Sequence, residues 1–392
     1  MTDAYLLGAV RTPIGKFLGE LSTLPAPALG AIALAEALRR AKANPEAVEE
    51  VVLGCVLQAG VGQNPARQAA LRAGLPPTIS ACTVNKVCGS GLEAVMRAAQ
   101  AIRAGDAQLV AAGGMESMSN APHLLRGTRT GWKFGEQKAL DAMIHDGLWC
   151  AIENWHMGEA ADYIASKYGV SRAEQDRFAV QSQQRAAAAW QAGLFHDEIV
   201  AVTLNAGVKP RVLERDEGLR PDTTVESLAK LRPAFSSEGT VTAGNASTLS
   251  DGAAVVIVGS LQAAEKLGTK PMARIVAYAT SGVEPKEIFI APVLAVRQVL
   301  LKAQLRLEEI DLFELNEAFA AQMLACNKEL GLDEAQINVH GGAIALGHPI
   351  GASGARVLVT LLYALQARNL RRGLACLCLG GGNAVAMVIE RT

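Results

Sequence analysis

The sequence predicts an α/β fold made of two similar halves with a loop domain inserted between them. Three observations lead there. Strand-sized apolar runs alternate with amphipathic or Ala-rich helical runs at both ends of the chain, the pattern of layered α/β architecture. Short segments recur at an offset of about 260 residues: Glu49-Glu50-Val51 with Glu308-Glu309-Ile310, Ser90-Gly91 with Ser353-Gly354, and Gly113-Gly114 with Gly380-Gly381. The composition, 50% hydrophobic but 4% aromatic with 38 glycines, suits close helix-on-sheet packing and excludes a disordered chain.

Taken in order, Tyr5 to Val10 reads as a first strand, because Met1 to Arg11 has neither a basic leader segment nor a long apolar run. A helix over Ala28 to Lys42, a strand over Val51 to Leu57, a helix over Ala66 to Ala73 and a strand near Ile79 to Val84 follow. A helix over Gly91 to Arg103 and a strand over Gln108 to Gly113 close the first series. The last third predicts helix Val293 to Ala303, strand Asp311 to Leu315, helices Glu317 to Glu329 and Gly354 to Ala367, then strands Leu374 to Leu379 and Ala384 to Ile389. Between the two series, Ser119 to about Thr248 loses the alternation. It is richer in Trp, His, charge and turn signals such as Lys209-Pro210, Arg220-Pro221 and Arg232-Pro233, and is expected to be a loop domain that carries binding work, a solvated surface excursion being the alternative.

Composition also narrows the function. At 392 residues the chain exceeds the prior of ~150 per domain, so two or three domains with large cores are expected. Lys and Arg number 37 against 38 Asp and Glu, a net charge of -1 with no general pull toward nucleic acid or an anionic membrane; a polyanionic ligand must be held by local groups. No uncharged apolar stretch approaches the ~20 residues needed to cross a bilayer. A cytoplasmic protein is expected, and its seven cysteines, an odd number, read as reduced thiols.

Four residues could carry chemistry. Cys88, in Asn85-Lys86-Val87-Cys88-Gly89-Ser90-Gly91, stands where a strand ends and a helix begins; there the helix dipole and free N–H groups favour a thiolate and lower its pKa, although a lone Cys is more often a buried structural one. His348, in Gly347-His348-Pro349-Ile350-Gly351-Ala352-Ser353-Gly354, occupies the matching place in the second half. Related halves would bring these two together as a thiol and its base, the alternatives for His348 being a capping residue or a phosphate loop. Cys378, beside Gly380-Gly381-Gly382, is a second thiol suited to acid and base work on carbon; a metal or redox Cys-x-Cys with Cys376 is the other reading, unsupported by a complementary motif. Asn316, at a strand-to-helix junction, reads by itself as a helix N-cap.

These segments, in this order, resemble the thiolases over nearly the whole chain. The resemblance rests on Cys88 in N-x-x-C-x-S-G, Asn316-Glu317-Ala318-Phe319, His348 in G-H-P-x-G-x-S-G, Cys378 in C-x-G-G-G and Gly113-Gly114-Met115-Glu116-Ser117-Met118-Ser119. It implies the thiolase fold: two βαβαβαββ halves in a five-layered α-β-α-β-α core, with residues 1–118 and 249–271 as the N-terminal half, 119–248 as the loop domain and 272–392 as the C-terminal half. It implies an acetyl-CoA C-acetyltransferase of the short-chain biosynthetic type that joins two acetyl-CoA into acetoacetyl-CoA and CoA, without metal or redox cofactor. Cys88 would carry the acyl group, His348 would take the thiol proton and Cys378 would remove a proton from C2 of the second acetyl-CoA. A water on Asn316 would assist His348 at the enolate, and the N–H groups of Cys88 and Gly380 would form the oxyanion hole.

The resemblance further marks His156, Met157, Arg220, Ser227 and Ser247 as contacts to CoA and Phe235 and Phe319 as pocket walls, with ordinary packing the alternative for Met157 and the two Phe. Arg126, Arg129, Lys133 and Lys138 against Glu136 fall where thiolases carry a cationic tetramerisation loop, which implies a homotetramer. Two stretches depart from the short-chain pattern. Ile288-Phe289-Ile290-Ala291-Pro292 is bulkier than the usual Met-Gly-Thr-Gly-Pro-like stretch, which keeps a degradative thiolase for longer 3-ketoacyl-CoA as the second expectation, and Gly158-Glu159-Ala160-Ala161-Asp162 replaces a Thr-Thr-Ala-Glu-like one. A non-catalytic CoA-binding subunit is the third and remotest.

Overall fold

The computed structural model describes residues 2–204 and 210–392; Met1 and Lys209, and with Lys209 part of the Lys209-Pro210 turn, lie outside the described residues. The chain begins with strand β1 (Tyr5–Arg11), helix α1 (Ala26–Arg40), β2 (Glu50–Gly54), α2 (Pro65–Arg72), β3 (Ser80–Val84), α3 (Ser90–Ala104) and β4 (Leu109–Ser117). The long excursion that follows carries α4 (Met157–Lys167) and α5 (Arg172–Gln191) before the chain returns as β5 (Ser250–Gly259). Then come β6 (Ala273–Gly282), α6 (Ala291–Ala303), β7 (Leu312–Leu315), α7 (Ala320–Leu330), α8 (Ser353–Ala367), β8 (Arg372–Leu379) and β9 (Asn383–Arg391).

The repeat seen in the sequence is a repeat of topology. The strands follow the order β3-β2-β4-β5-β1 and then, continuing, β6-β9-β8-β7. In each half the inner crossovers are parallel (β2 with β3 and β4, β7 with β8) and the returning strands antiparallel. The two half-sheets join where Tyr5 and Leu6 pair with Arg274 and Ala273. The second-half counterpart of β3 is reduced to a parallel bridge between Phe313 and Ile337.

Both faces of each half-sheet are covered, which explains the near-continuous apolar strands. Along β4, Val110 and Ala112 face inward while Leu109 and Ala111 face α1 and α2. Along β8, Ala375 and Leu377 face inward while Leu374 and Cys376 face α6. The inner layer is α3 beside α8. Ser353 to Leu362 of α8 are all buried, as expected of a helix that lies between two sheets, and its polar members are paired inside, Arg356 with Glu314 at 3.4 Å and Thr360 with Glu198 at 3.2 Å. These are the five expected layers. No helix among the described residues is long and apolar enough to cross a membrane.

Three sequence expectations are corrected. The strand placed at Gln108–Gly113 runs on to Ser117, so Gly113 and Gly114 lie inside it; a Cβ on either would strike the backbone of Ala254 or Gly351. The excursion is not merely loop: α5 has 20 residues, opened by a capping box in which Ser171 accepts the Glu174 N–H and Glu174 accepts the Ser171 N–H. The helix placed at Glu317 starts at Ala320, because the buried Glu317 carboxylate accepts from Ser182 Oγ at 2.6 Å, Asn338 Nδ2 at 2.9 Å and the Ile344 N–H at 3.2 Å, which holds this stretch away from helical geometry.

The excursion is tied to the core by charge. Arg11, at the end of β1, is fully buried and donates to Glu198 at 2.5 Å and to Asp216 at 2.7 and 3.0 Å, while Asp216 also accepts the Ile14 N–H at 2.7 Å. Removing one partner leaves a buried guanidinium under-paired. We therefore expect Asp216→Ala to lose roughly 3–5 kcal/mol of stability, read as a lowered urea midpoint; a change within experimental error would contradict the anchoring role.

Candidate active site

Cys88 lies in the turn between β3 and α3. Val87, a β-branched residue, is held there at φ 48°, a conformation tolerated only when the surroundings impose it. Ser90 imposes it: its hydroxyl donates to the Val87 carbonyl at 2.6 Å and accepts the Lys86 N–H at 2.8 Å. The turn presents the sulfur at the N-terminus of α3, where the N–H groups of Gly380 and of Cys88 itself are directed at it.

The matching turn in the second half presents His348 just before α8. What brings the two together is a crossing of helix N-termini without side chains. A Cβ on Gly91 would stand 2.7 Å from the Ala355 nitrogen, and one on Gly354 would collide with the Leu92 nitrogen. Glycine at both positions permits the approach.

The protonation states follow from burial. Sequence position predicted a lowered Cys88 pKa, but burial outweighs the two N–H groups and pushes the thiol up to about 12. Cys88 therefore rests as a thiol, half-buried with its sulfur on a cavity. His348 is driven down to about 3, chiefly by burial and secondarily by the Arg356 charge, so its ring is neutral. The tautomer is fixed as well. Ser353 Oγ donates to the Pro349 carbonyl at 2.9 Å, so it accepts from His348 Nδ1 at 2.6 Å, leaving a lone pair on Nε2. Asn316 Nδ2 faces that lone pair at 3.5 Å, while its buried Oδ1 accepts no hydrogen bond from the described residues. Asn316 is not a helix cap. Cys378, at the end of β8, is pushed well above the ordinary thiol value by burial and then by neighbouring Cys88.

Cys88, His348, Cys378 and Gly380 line one cavity of about 690 Å³. His156, Met157, Arg220, Phe235, Ser247 and Phe319 line it too. Several are locked in place. His156 caps α4, its Nδ1 accepting the Gly158 N–H at 3.0 Å, and its ring stacks on Phe235 with centroids 4.7 Å apart. Phe235 meets Phe319 edge-on at 6.3 Å, and Phe319 meets Phe289 at 5.2 Å. Asn316 stands one contact behind the wall. Ser227 is the exception: it is exposed, and its hydroxyl donates to the Thr224 carbonyl at 2.7 Å, capping the short helix Val225–Ala229 instead of reaching the cavity.

Sequence reasoning missed part of the wall. Lys16 and Phe17 after β1, Met118 after β4, and Met143, Ile144 and Leu148 from a π-helical turn over Met143–Leu148 all border the cavity. No periodicity marks them, because their shared position comes from loops that meet only in the fold.

Family models described as thiolase N-terminal domain and thiolase C-terminal domain match residues 4–262 and 269–391. The chain belongs to the thiolase family. Among similar thiolases, an acetyl-CoA acetyltransferase of Cupriavidus necator is 52% identical over 392 residues, covering 100% of both chains. One of Chromobacterium violaceum is 54% identical over 390 residues, covering 99% of this chain and 100% of that one. The crystal structure of the Bacillus anthracis acetyl-CoA acetyltransferase matches with a TM-score of 0.98 at 43% identity, covering 100% of this chain and 99% of that one.

The buried imidazoles predict a stability profile. His348 and His340, the latter pushed to about 4 by burial, bind no proton in the folded chain at pH values where an unfolded histidine, with its ordinary value of 6.5, does. Through these two groups the unfolded state binds more protons between pH about 6.5 and 4, and their contribution to stability falls as pH drops through that window, whereas the buried Glu116 and Glu314, raised to about 7 and about 8 by burial, contribute in the opposite sense. Urea titrations at several pH values should therefore show His340→Gln gaining stability relative to the wild type as pH drops through the window; a difference between the two that does not change with pH would remove His340 from the account.

Proposed function

We propose that the chain is an acetyl-CoA acetyltransferase that runs the reversible condensation of two acetyl-CoA to acetoacetyl-CoA and CoA. The observation that carries this reading is the meeting of two thiols, a neutral imidazole with its lone pair on Nε2 and two backbone N–H groups in one cavity. Similar full-length chains bearing that name support it.

In this reading His348 Nε2 takes the Cys88 proton as sulfur attacks the acetyl carbonyl, and the Cys88 and Gly380 N–H groups hold the oxyanion. Such a donor is worth roughly 3–4 kcal/mol. Cys378 gives its proton to the departing CoA thiolate. The thiolate left on Cys378 is strongly basic because burial disfavours it. It removes a C2 proton from the second acetyl-CoA, with the enolate oxygen held by protonated His348 and a water on Asn316. The carbanion then attacks the Cys88 thioester, and the expelled Cys88 sulfur recovers its proton from His348. Every proton is returned, and no metal or redox cofactor enters.

The loop domain, residues 119–248, supplies the CoA wall through His156, Met157, Arg220 and Phe235. We read the protein as cytoplasmic, with a role in lipid metabolism. Fully exposed Phe134 beside exposed Trp132 and Arg126, Arg129 and Lys133 supports a homotetramer formed through this loop.

Radiolabelled acetyl from acetyl-CoA should be trapped on the wild type and on Cys378→Ala, which should fail to condense, and should be absent from Cys88→Ala; equal labelling of Cys88→Ala would refute the nucleophile. Chain length is a separate question. Ile288 and Phe289 are each 2% exposed and fill the wall beside Phe319, which favours short acyl groups over the degradative reading. Thiolysis should therefore prefer acetoacetyl-CoA to a medium-chain 3-ketoacyl-CoA in kcat/KM. Phe289→Ala should shift that ratio toward the longer substrate by about tenfold or more, since each methylene accommodated is worth ~1–3 kcal/mol. A wild-type preference for the longer chain would move the enzyme to the degradative class.

A further inference from the structure

Glu116 touches none of the reacting groups described above, yet it is fully buried behind them at the end of β4. Its Oε2 accepts the N–H groups of Val56 at 3.0 Å and Gly351 at 2.9 Å, and its Oε1 accepts the Leu57 N–H at 3.2 Å and faces the Cys55 thiol at 3.7 Å. Burial pushes its pKa up to about 7, but all four partners are donors, an arrangement that a carboxylate satisfies and a protonated acid, which must itself donate, does not, so the ionised form is the one these contacts hold.

The partners come from different halves of the molecule. Val56 and Leu57 follow β2, whereas Gly351 belongs to the loop that carries His348 into α8. That loop is pressed onto the first half where side chains are missing: a Cβ on Gly54 would stand 2.7 Å from the Gly351 oxygen, and one on Gly114 would collide with it. Ile350 of the same loop packs with Val56, Leu57 and Met118, and Cys88 packs against that cluster. Around Gly351 this contact is apolar except at the Glu116 carboxylate, while the His348 N–H itself is held by Ser250 Oγ and the Thr248 carbonyl, each at 3.2 Å.

We infer that Glu116 is a positioning residue for acyl transfer, fixing the His348 loop to the Cys88-bearing half so that imidazole and thiol keep their separation. This rests on the acyltransferase reading. The titratable groups facing Glu116 are Cys55 after β2 and Cys88 before α3; the His348 loop contributes only the Gly351 N–H. Glu116 works through its backbone partners and meets neither substrate nor leaving group.

The test is Glu116→Gln, which keeps the shape but turns an amide donor toward donors, with Glu116→Asp as the variant that keeps the charge. Misplacement of a reacting group by about 1 Å costs on the order of 100-fold, so for Glu116→Gln we expect kcat for acetoacetyl-CoA thiolysis, and the single-turnover rate of Cys88 acetylation, both to fall by about that factor. KM should stay within about twofold, because the CoA wall is untouched, and Glu116→Asp should recover part of the rate. Rates are normalised to the folded fraction from near-ultraviolet circular dichroism. If folded Glu116→Gln acetylates Cys88 at the wild-type rate, or if KM rises while kcat holds, the positioning role is wrong. Failure of the wild type to label or turn over would overturn the acyltransferase reading, and this inference with it.

Discussion

The near-contact of α3 and α8 at Gly91 and Gly354 is the constraint from which the site follows. Two helices that lie in the same inner layer could cross anywhere along their length, and most crossings would keep their N-termini apart. Absence of side chains in the first turn of each helix, at Gly91 after Cys88 and at Gly354 after His348, fixes the crossing where the two turns that bear chemistry are nearest. The rest of the fold serves that crossing. Two half-sheets clamp the pair from either face, and burial of α8 on every side from Ser353 to Leu362 leaves it no other resting place.

The same burial sets the electrostatics. A thiol pushed up to about 12 beside an imidazole pushed down to about 3 cannot form a resting ion pair. Reactivity then depends on the substrate, whose developing oxyanion gives the N–H groups of Cys88 and Gly380 a charge to hold. Keeping the proton on sulfur until the acyl group arrives also protects the thiol, since the thiolate is the form that oxidises.

The sequence announced much of this through small residues and strand-sized apolar runs. Ser90-Gly91 and Ser353-Gly354 mark both the repeat and the place where the halves touch, and the alternation along β8 foretold that Cys376 and Cys378 share a face. What escaped was whatever depends on distant neighbours. The pKa of Cys88 was read from its place on a helix, but burial by the other half decides it. Asn316 looked like a helix cap because the pull on Glu317 from Ser182, Asn338 and Ile344 is invisible in local sequence. α5 was missed although Ser171 and Glu174 signalled its start, because an Ala- and Gln-rich helix shows little amphipathic contrast. Ser227 was carried over by resemblance and is occupied with a local cap.

The Arg11 anchor has a consequence for how the molecule opens. An insertion of well over one hundred residues would ordinarily be free to detach and reform by itself, as a separately exchanging unit. Here detachment of the strands and turns bearing Glu198 and Asp216 would strip the guanidinium of both counter-charges while β1 still held it in the centre of the molecule. Partial opening is thus penalised more than its own lost contacts require. The anchor therefore favours opening of the excursion together with the layered core, and ties the cavity wall that the excursion supplies to the sheet beneath it.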